Sequence, residues 1–107
     1  MGEVVVVVSV RAKAGRVGEL ERLLTTAVEQ THALDDGALL CALHRSVDDP
    51  ARFVLIERFV SAEALEVHRE LPYAQETFAA IPDLIEELSE TVVEAIPAGD
   101  PAKGVIA

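Results

Sequence analysis

In the stretch ERFVSAEALEVHRELPYAQ, residues 57–75, a glutamate closes an apolar run and a histidine follows among apolar residues. Glu57 comes directly after FVLI, and His68 stands three residues after Leu65 and three before Leu71. An imidazole held by a carboxylate is a serviceable general base near neutral pH. Period-two alternation puts Glu57 on one strand face with Phe53, Leu55 and Phe59. His68 falls on the apolar stripe of a helix, with Ala64, Leu65 and Leu71. A carboxylate on an apolar face is solvated at a cavity mouth, paired with a base, or kept protonated by desolvation. The two are therefore predicted to meet between sheet and helix, as a pocket pair. The alternative is a structural hydrogen bond that Glu57 accepts from His68, Arg45, Arg58 or a backbone amide.

Other polar side chains have weaker claims. Tyr73 is able to donate a hydrogen bond to an oxygenated ligand, or to pack as an ordinary tyrosine. His44 shares its strand face with Leu40 and Ala42, which suits either a pocket rim or a solvated strand end. His32 follows the polar edge of a helix and reads as surface. Cys41 lies in ALLCAL and reads as an inert buried thiol.

Positioning Glu57 and His68 requires a strand, a helix and a second layer. Residues 4–12 read as a strand, because a run of five valines favours the pleated sheet. After Gly15, residues 16–33 carry Val17, Leu20, Leu24, Ala27, Val28 and Thr31 at helical spacing. Asp35, Asp36 and Gly37 break that helix. Residues 38–46 and 52–60 read as strands joined through the turn DDP, a hairpin. Ser61 is predicted to cap a helix that runs to about Leu71, with Glu63 in its first turn. Pro72 interrupts it before a further helical segment over about 73–81, and residues 90–96 form the last strand. The order β-α-β-β-α-β is the ferredoxin-like pattern, an α+β antiparallel sheet with helices on one face. Both sheet faces are apolar: Val4, Val6, Val8 and Val10 oppose Val5 and Val7. One face needs a cover beyond the helices, so a homodimer packed through the sheet is predicted.

The 107 residues suit one domain, and an apolar fraction of 50% with 4% aromatics predicts an aliphatic core. A net charge of −10 repels phosphate backbones and anionic lipid, so neither nucleic acid nor membrane is an expected partner. One cysteine and an N-terminal run that reads as a strand, not a signal peptide, fit the reducing cytoplasm. No Gly-rich phosphate loop, CxxC or His-rich metal spacing occurs, so no cofactor and no metal is expected.

The strings VRAKAGRVGELERLL and ALHRSVDDPARFVLIERFVSAEALEVHRELPYAQ resemble the antibiotic biosynthesis monooxygenase family of small dimeric α+β-barrel proteins, which includes quinol monooxygenases. Glu57, Phe59, Ser61, Ala64, Leu65 and His68 match that family's pattern. The chain reads as a single domain over 1–98, with a tail over 99–107 whose apolar tip, Val105 and Ile106, is able to cross to the partner subunit. It implies a cofactor-independent monooxygenase that deprotonates a quinol or polyphenolic aromatic, whose anion reduces O2 in an apolar pocket. His68 and Glu57 would be the catalytic groups, with Tyr73, His44, Leu55, Phe59, Leu65 and Phe78 around the substrate. Members of the actinorhodin type carry Asn and Trp where Leu55 and Phe59 stand, and many quinol-type members have His-Phe in place of Tyr73 and Ala74. Val8, His68 and Phe78 occupy the positions that haem-degrading relatives use, so that chemistry is not expected. An isomerase or lyase on the same fold, or a non-catalytic dimeric binding protein, stays open beside the leading reading.

Overall fold

The computed structural model describes residues 2–106. Met1 and Ala107, the outer ends of the domain and tail ranges, lie outside the described residues. The valine run becomes β1 (Val4–Ala12), and Gly15, at φ 79°, turns the chain into α1 (Val17–Leu34). The positive φ at that turn is a conformation that glycine adopts without a Cβ clash. Next come the hairpin strands β2 (Ala38–Arg45) and β3 (Arg52–Phe59), then α2 (Ala62–Glu70) and α3 (Pro72–Ala80). A short 3-10 turn leads into β4 (Ile85–Val93). The sheet order is β2-β3-β1-β4 and every pairing is antiparallel, which is the ferredoxin-like α+β fold.

Local chemistry sets the helix ends. Ser61 Oγ accepts a hydrogen bond from the Ala64 amide at 3.0 Å, satisfying a first-turn donor of α2. Pro72 cannot continue α2, because it lacks the amide and crowds the residue before it. It instead opens α3 at the first helical position, where no amide bond is missed. The break re-aims the chain, so the next residue, Tyr73, is buried under the sheet layer.

Register fixes which side chains look inward. Val6 pairs with Glu57 and Val10 with Phe53, while Cys41 pairs with Glu57 from the other side. Val6, Val10, Phe53, Glu57, Phe59 and Cys41 therefore share the helix-facing side and are all buried. Val10, Ala12, Leu20, Leu24, Phe53 and Leu84 form one cluster, and Val6, Phe59 and Leu65 a second. Removing side chains such as Phe53 and Leu20 from water contributes about 1.5–3 kcal/mol each.

The last strand departs from expectation. It was predicted over 90–96 and runs over Ile85–Val93, pairing Val10 with Leu88 and Val8 with Glu90. Glu86, Glu87 and Glu90 give this stretch the polarity of a loop. On an exposed strand those acids instead pair with Arg11, Arg52 and Arg69. Leu39, expected beside Cys41 and Leu43, lies at a register shift and is exposed. The tail returns towards its own sheet, where Arg58 Nη1 donates to the Ile106 carbonyl at 2.9 Å. Among the described residues, no helix is long and apolar enough to cross a membrane.

Candidate active site

Between the sheet and the helices lies a cavity of about 600 Å³. Its floor is aliphatic, formed by Val6, Val8, Leu24 and Leu65. The lining residues that reach solvent, Phe78, Pro82, Glu86, Glu87, Leu88 and Glu90, come from the end of α3 onwards and from β4, so the cavity opens there. Glu57 and His68 both line it. Their burial is nearly complete, with 6% and 7% of each residue exposed. Glu57 Oε2 lies 3.7 Å from His68 Nε2, so β3 and α2 bring the carboxylate and imidazole together as expected from their spacing.

The opposite ring nitrogen is held more tightly. His68 Nδ1 is hydrogen-bonded to Asp35 Oδ2 at 2.7 Å, and the Asp35 side chain is itself buried. Tyr73 Oη lies 3.3 Å from the same Nδ1 and donates to Thr31 Oγ1 at 3.0 Å. Thr31 in turn donates to the Ala27 carbonyl at 2.9 Å. The rings of Phe59 and Tyr73 bracket the imidazole, with centroids 5.0 Å and 5.9 Å away. A side chain held by packing on two sides and a short hydrogen bond on a third has little rotational freedom left.

The electrostatics follow from burial. Desolvation pushes the Glu57 carboxyl above its ordinary range, opposed chiefly by the positive charge that His68 is able to carry. Tyr73 is also raised, again mainly by burial. Cys41 lies 4.0 Å from Glu57 Oε2, and burial followed by that carboxylate takes the thiol up to about 12. It stays a thiol at neutral pH and is no nucleophile. Among the described residues, no lysine or arginine lines the cavity. Among the described residues, no group of three His, Cys, Asp or Glu side chains converges as metal ligands would.

The sequence profile of the antibiotic biosynthesis monooxygenase family matches residues 3–80. The chain belongs to that family. A Deinococcus radiodurans protein designated as a candidate antibiotic biosynthesis monooxygenase is 26% identical, with a TM-score of 0.82 over 91% of this chain and 96% of that one. Rv0793 from Mycobacterium tuberculosis is 25% identical, with a TM-score of 0.84 over 92% and 99% of the two chains. SO0527 from Shewanella oneidensis is 26% identical, with a TM-score of 0.75 over 87% and 94%. A comparison with curated proteins returns no match.

In this antibiotic biosynthesis monooxygenase family member, Tyr73, Leu55, Leu65 and Phe78 line the cavity with Glu57 and His68. Two of the residues named from the sequence stand elsewhere. Phe59 is fully buried beside the imidazole, outside the cavity lining. His44 is exposed on the outer face of β2, with Nδ1 3.4 Å from the Val54 carbonyl oxygen. Its even-numbered parity, shared with Leu40 and Ala42, is the parity that faces away from the helices. Asp35 and Thr31 were not singled out for the site. Asp35 sits in a DDG helix stop, where nothing local separates an inward aspartate from its outward neighbour Asp36.

Proposed function

We propose that this protein is a monooxygenase that deprotonates an uncharged aromatic hydroxyl compound, a quinol or polyphenol, so that the resulting anion reduces O2. The observation that carries the reading is the Glu57–His68 pair on the wall of an otherwise apolar cavity. A ligand oxygen placed about 2.8 Å from both Oε2 and Nε2 would see them at an angle of about 80°, so one hydroxyl is able to contact both groups. His68 takes the hydroxyl proton. Glu57, held towards its protonated form by burial, donates a hydrogen bond to the phenolate oxygen that forms. The imidazolium stays paired with Asp35. For a methylene-bearing substrate such as an anthrone, CH2 and O2 become C=O and water, and the substrate supplies every electron.

The cavity also favours an uncharged substrate. With Glu57, Glu86, Glu87 and Glu90 in its lining and, among the described residues, no basic side chain there except His68, a carboxylated or sulfonated analogue finds no free cationic partner. The nearest arginines are already paired: Arg11 with Asp49 and Glu86, Arg52 with Glu87, and Arg69 with Glu66 and Glu90. The assembly we propose is a homodimer through the outer sheet face, where Val7, Ala42, Val54 and Ile56 remain only partly covered. Its place, on the grounds of its unpaired buried Cys41, is the cytoplasm.

The test is oxygen uptake by metal-stripped protein with reduced naphthoquinones and anthrones. Uptake above the autoxidation blank, falling at least tenfold in His68→Ala and less in Glu57→Gln, is the expected result. Uptake unchanged in His68→Ala would remove it from the reaction. Substrate turnover with no oxygen consumed would transfer the same pair to a non-oxidative proton transfer.

A further inference from the structure

Asp35 is not itself in the cavity lining, yet it makes the shortest polar contact in this region, at 2.7 Å to His68 Nδ1. Resting on the acid–base reading of His68 above, we propose that Asp35 is a positioning residue: it fixes the imidazole proton on Nδ1, so that Nε2 is the atom presented to the substrate.

The assignment follows from counting donors. An ionised carboxylate only accepts, so a hydrogen bond between Asp35 Oδ2 and Nδ1 places the proton on Nδ1. The other nearby hydroxyl, that of Tyr73, does not donate to Nδ1. Tyr73 donates to Thr31, and Thr31 donates to Ala27, so that chain runs away from the ring. The phenol oxygen, 3.3 Å from Nδ1, is left as a second acceptor for the same N–H. Nε2 then faces Glu57 and the cavity.

Asp35 is held in place before any ligand arrives. Its Oδ1 accepts from the Gly37 amide at 3.1 Å. Its own amide donates to the Thr31 carbonyl at 3.1 Å, and its carbonyl accepts from Ala38 at 3.2 Å. Gly37 permits this approach to α2, because a Cβ at that position would lie 2.9 Å from the Ala64 Cβ. The Val60 amide donates to the Gly37 carbonyl at 2.9 Å and ties the loop to the end of β3. This is the arrangement of a fixed orienting group.

Asp35→Asn reverses the polarity with almost no change of shape. Gly37 still needs an acceptor, so the amide oxygen takes the Oδ1 place and the amide nitrogen faces Nδ1. That nitrogen donates, Nδ1 becomes the acceptor, and the ring proton moves to Nε2. The groups facing His68 in this comparison are Asp35 from the loop after α1, Glu57 from β3 and Tyr73 from α3. Cys41 on β2, Glu90 on β4 and Arg69 on α2 act on it through Glu57.

Protein labelled with 15N-histidine provides the test, with His68 signals assigned by their loss in His68→Gln. The expected result is a protonated Nδ1 in the wild type and an unprotonated Nδ1 in Asp35→Asn, with circular dichroism unchanged. An unprotonated Nδ1 in the wild type overturns the assignment, even if the variant fails to fold. In oxygen uptake, Asp35→Asn is expected to lower kcat about a hundredfold or more, with KM within about threefold and a displaced pH profile. Unchanged kcat and pH profile in a folded Asp35→Asn overturn the positioning role. If the wild type turns over no substrate, the acid–base reading fails instead, and the nitrogen signals still decide where the proton sits.

Discussion

The space between helices and sheet has two ends filled in different ways. At one, Val10, Ala12, Leu20, Leu24, Phe53 and Leu84 interlock, and no titratable side chain is among them. At the other, the apolar cluster shrinks to Val6, Phe59 and Leu65. Asp35, Glu57, His68 and Thr31 occupy the adjoining buried positions. Buried polar groups cost stability unless they are hydrogen-bonded, and these are arranged so that most find partners within the group. Glu57 is the least satisfied, with its nearest polar contacts at 3.7 and 4.0 Å. The fold thus has one wholly apolar packed end and one polar end. Both contribute to the cavity wall, Val10, Leu24 and Phe53 from the first and Val6, Leu65 and the underused Glu57 carboxylate from the second.

The comparison is broken most sharply by deleting core volume at each end. Leu20, fully buried and outside the cavity wall, serves stability alone. Leu20→Ala is expected to cost about 2–5 kcal/mol in urea unfolding and to leave turnover per folded molecule unchanged. Phe59→Ala is expected to cost about 3–5 kcal/mol and also to free the His68 ring, so that turnover falls in the folded fraction.

A smaller effect is expected from Glu57→Gln. Burial raises the Glu57 carboxyl, so the folded state holds this proton more tightly than the unfolded chain does. The stability it contributes is present below the ordinary glutamate value of about 4.3 and is lost as pH rises through the higher folded value. The wild type should therefore lose melting temperature relative to Glu57→Gln between about pH 4 and neutrality, traced by thermal melts across that range. Leu20→Ala, at the packed end, should show no such pH dependence of its deficit.

The smallest effect is at the rim. Arg69 pairs with Glu66 and Glu90 in a partly exposed site, so Arg69→Gln should cost at most about 1 kcal/mol, and less with added salt. Because the Arg69 charge holds Glu57 down, the same variant should move the pH dependence described above further upward.

The packed end was easy to read in the sequence. Its residues obey simple periods: Val10 and Ala12 at spacing two along a strand, Leu20 and Leu24 at spacing four along a helix. Period also brought Glu57 and His68 together, because each lies on an apolar face that has only one place to go. The polar end was harder. Asp35 acts from a loop, where no period applies, and its partner lies 33 positions away in the chain. Parity alone did not separate Phe59, packed under the imidazole, from Leu55, which reaches the cavity. β4 was displaced by several residues because ion pairing, not burial, accounts for its acids. His44 had the parity of the outer face, which a reading centred on the pocket passed over.

That acidic strand has a consequence for how the molecule behaves in a crowded solution. β4 is a sheet edge, with one row of backbone amides and carbonyls unpaired and with Leu88, Val92 and Val93 at least partly bare. Such an edge is a template for strand addition by a neighbouring chain and, repeated, for fibrils. Glu86, Glu87 and Glu90 with their arginine partners, and Glu94 just beyond, line it with charged side chains that a second edge would have to desolvate. The acids that border the cavity mouth thereby also act as gatekeepers against aggregation, and replacing them with apolar residues is the change under which that protection weakens.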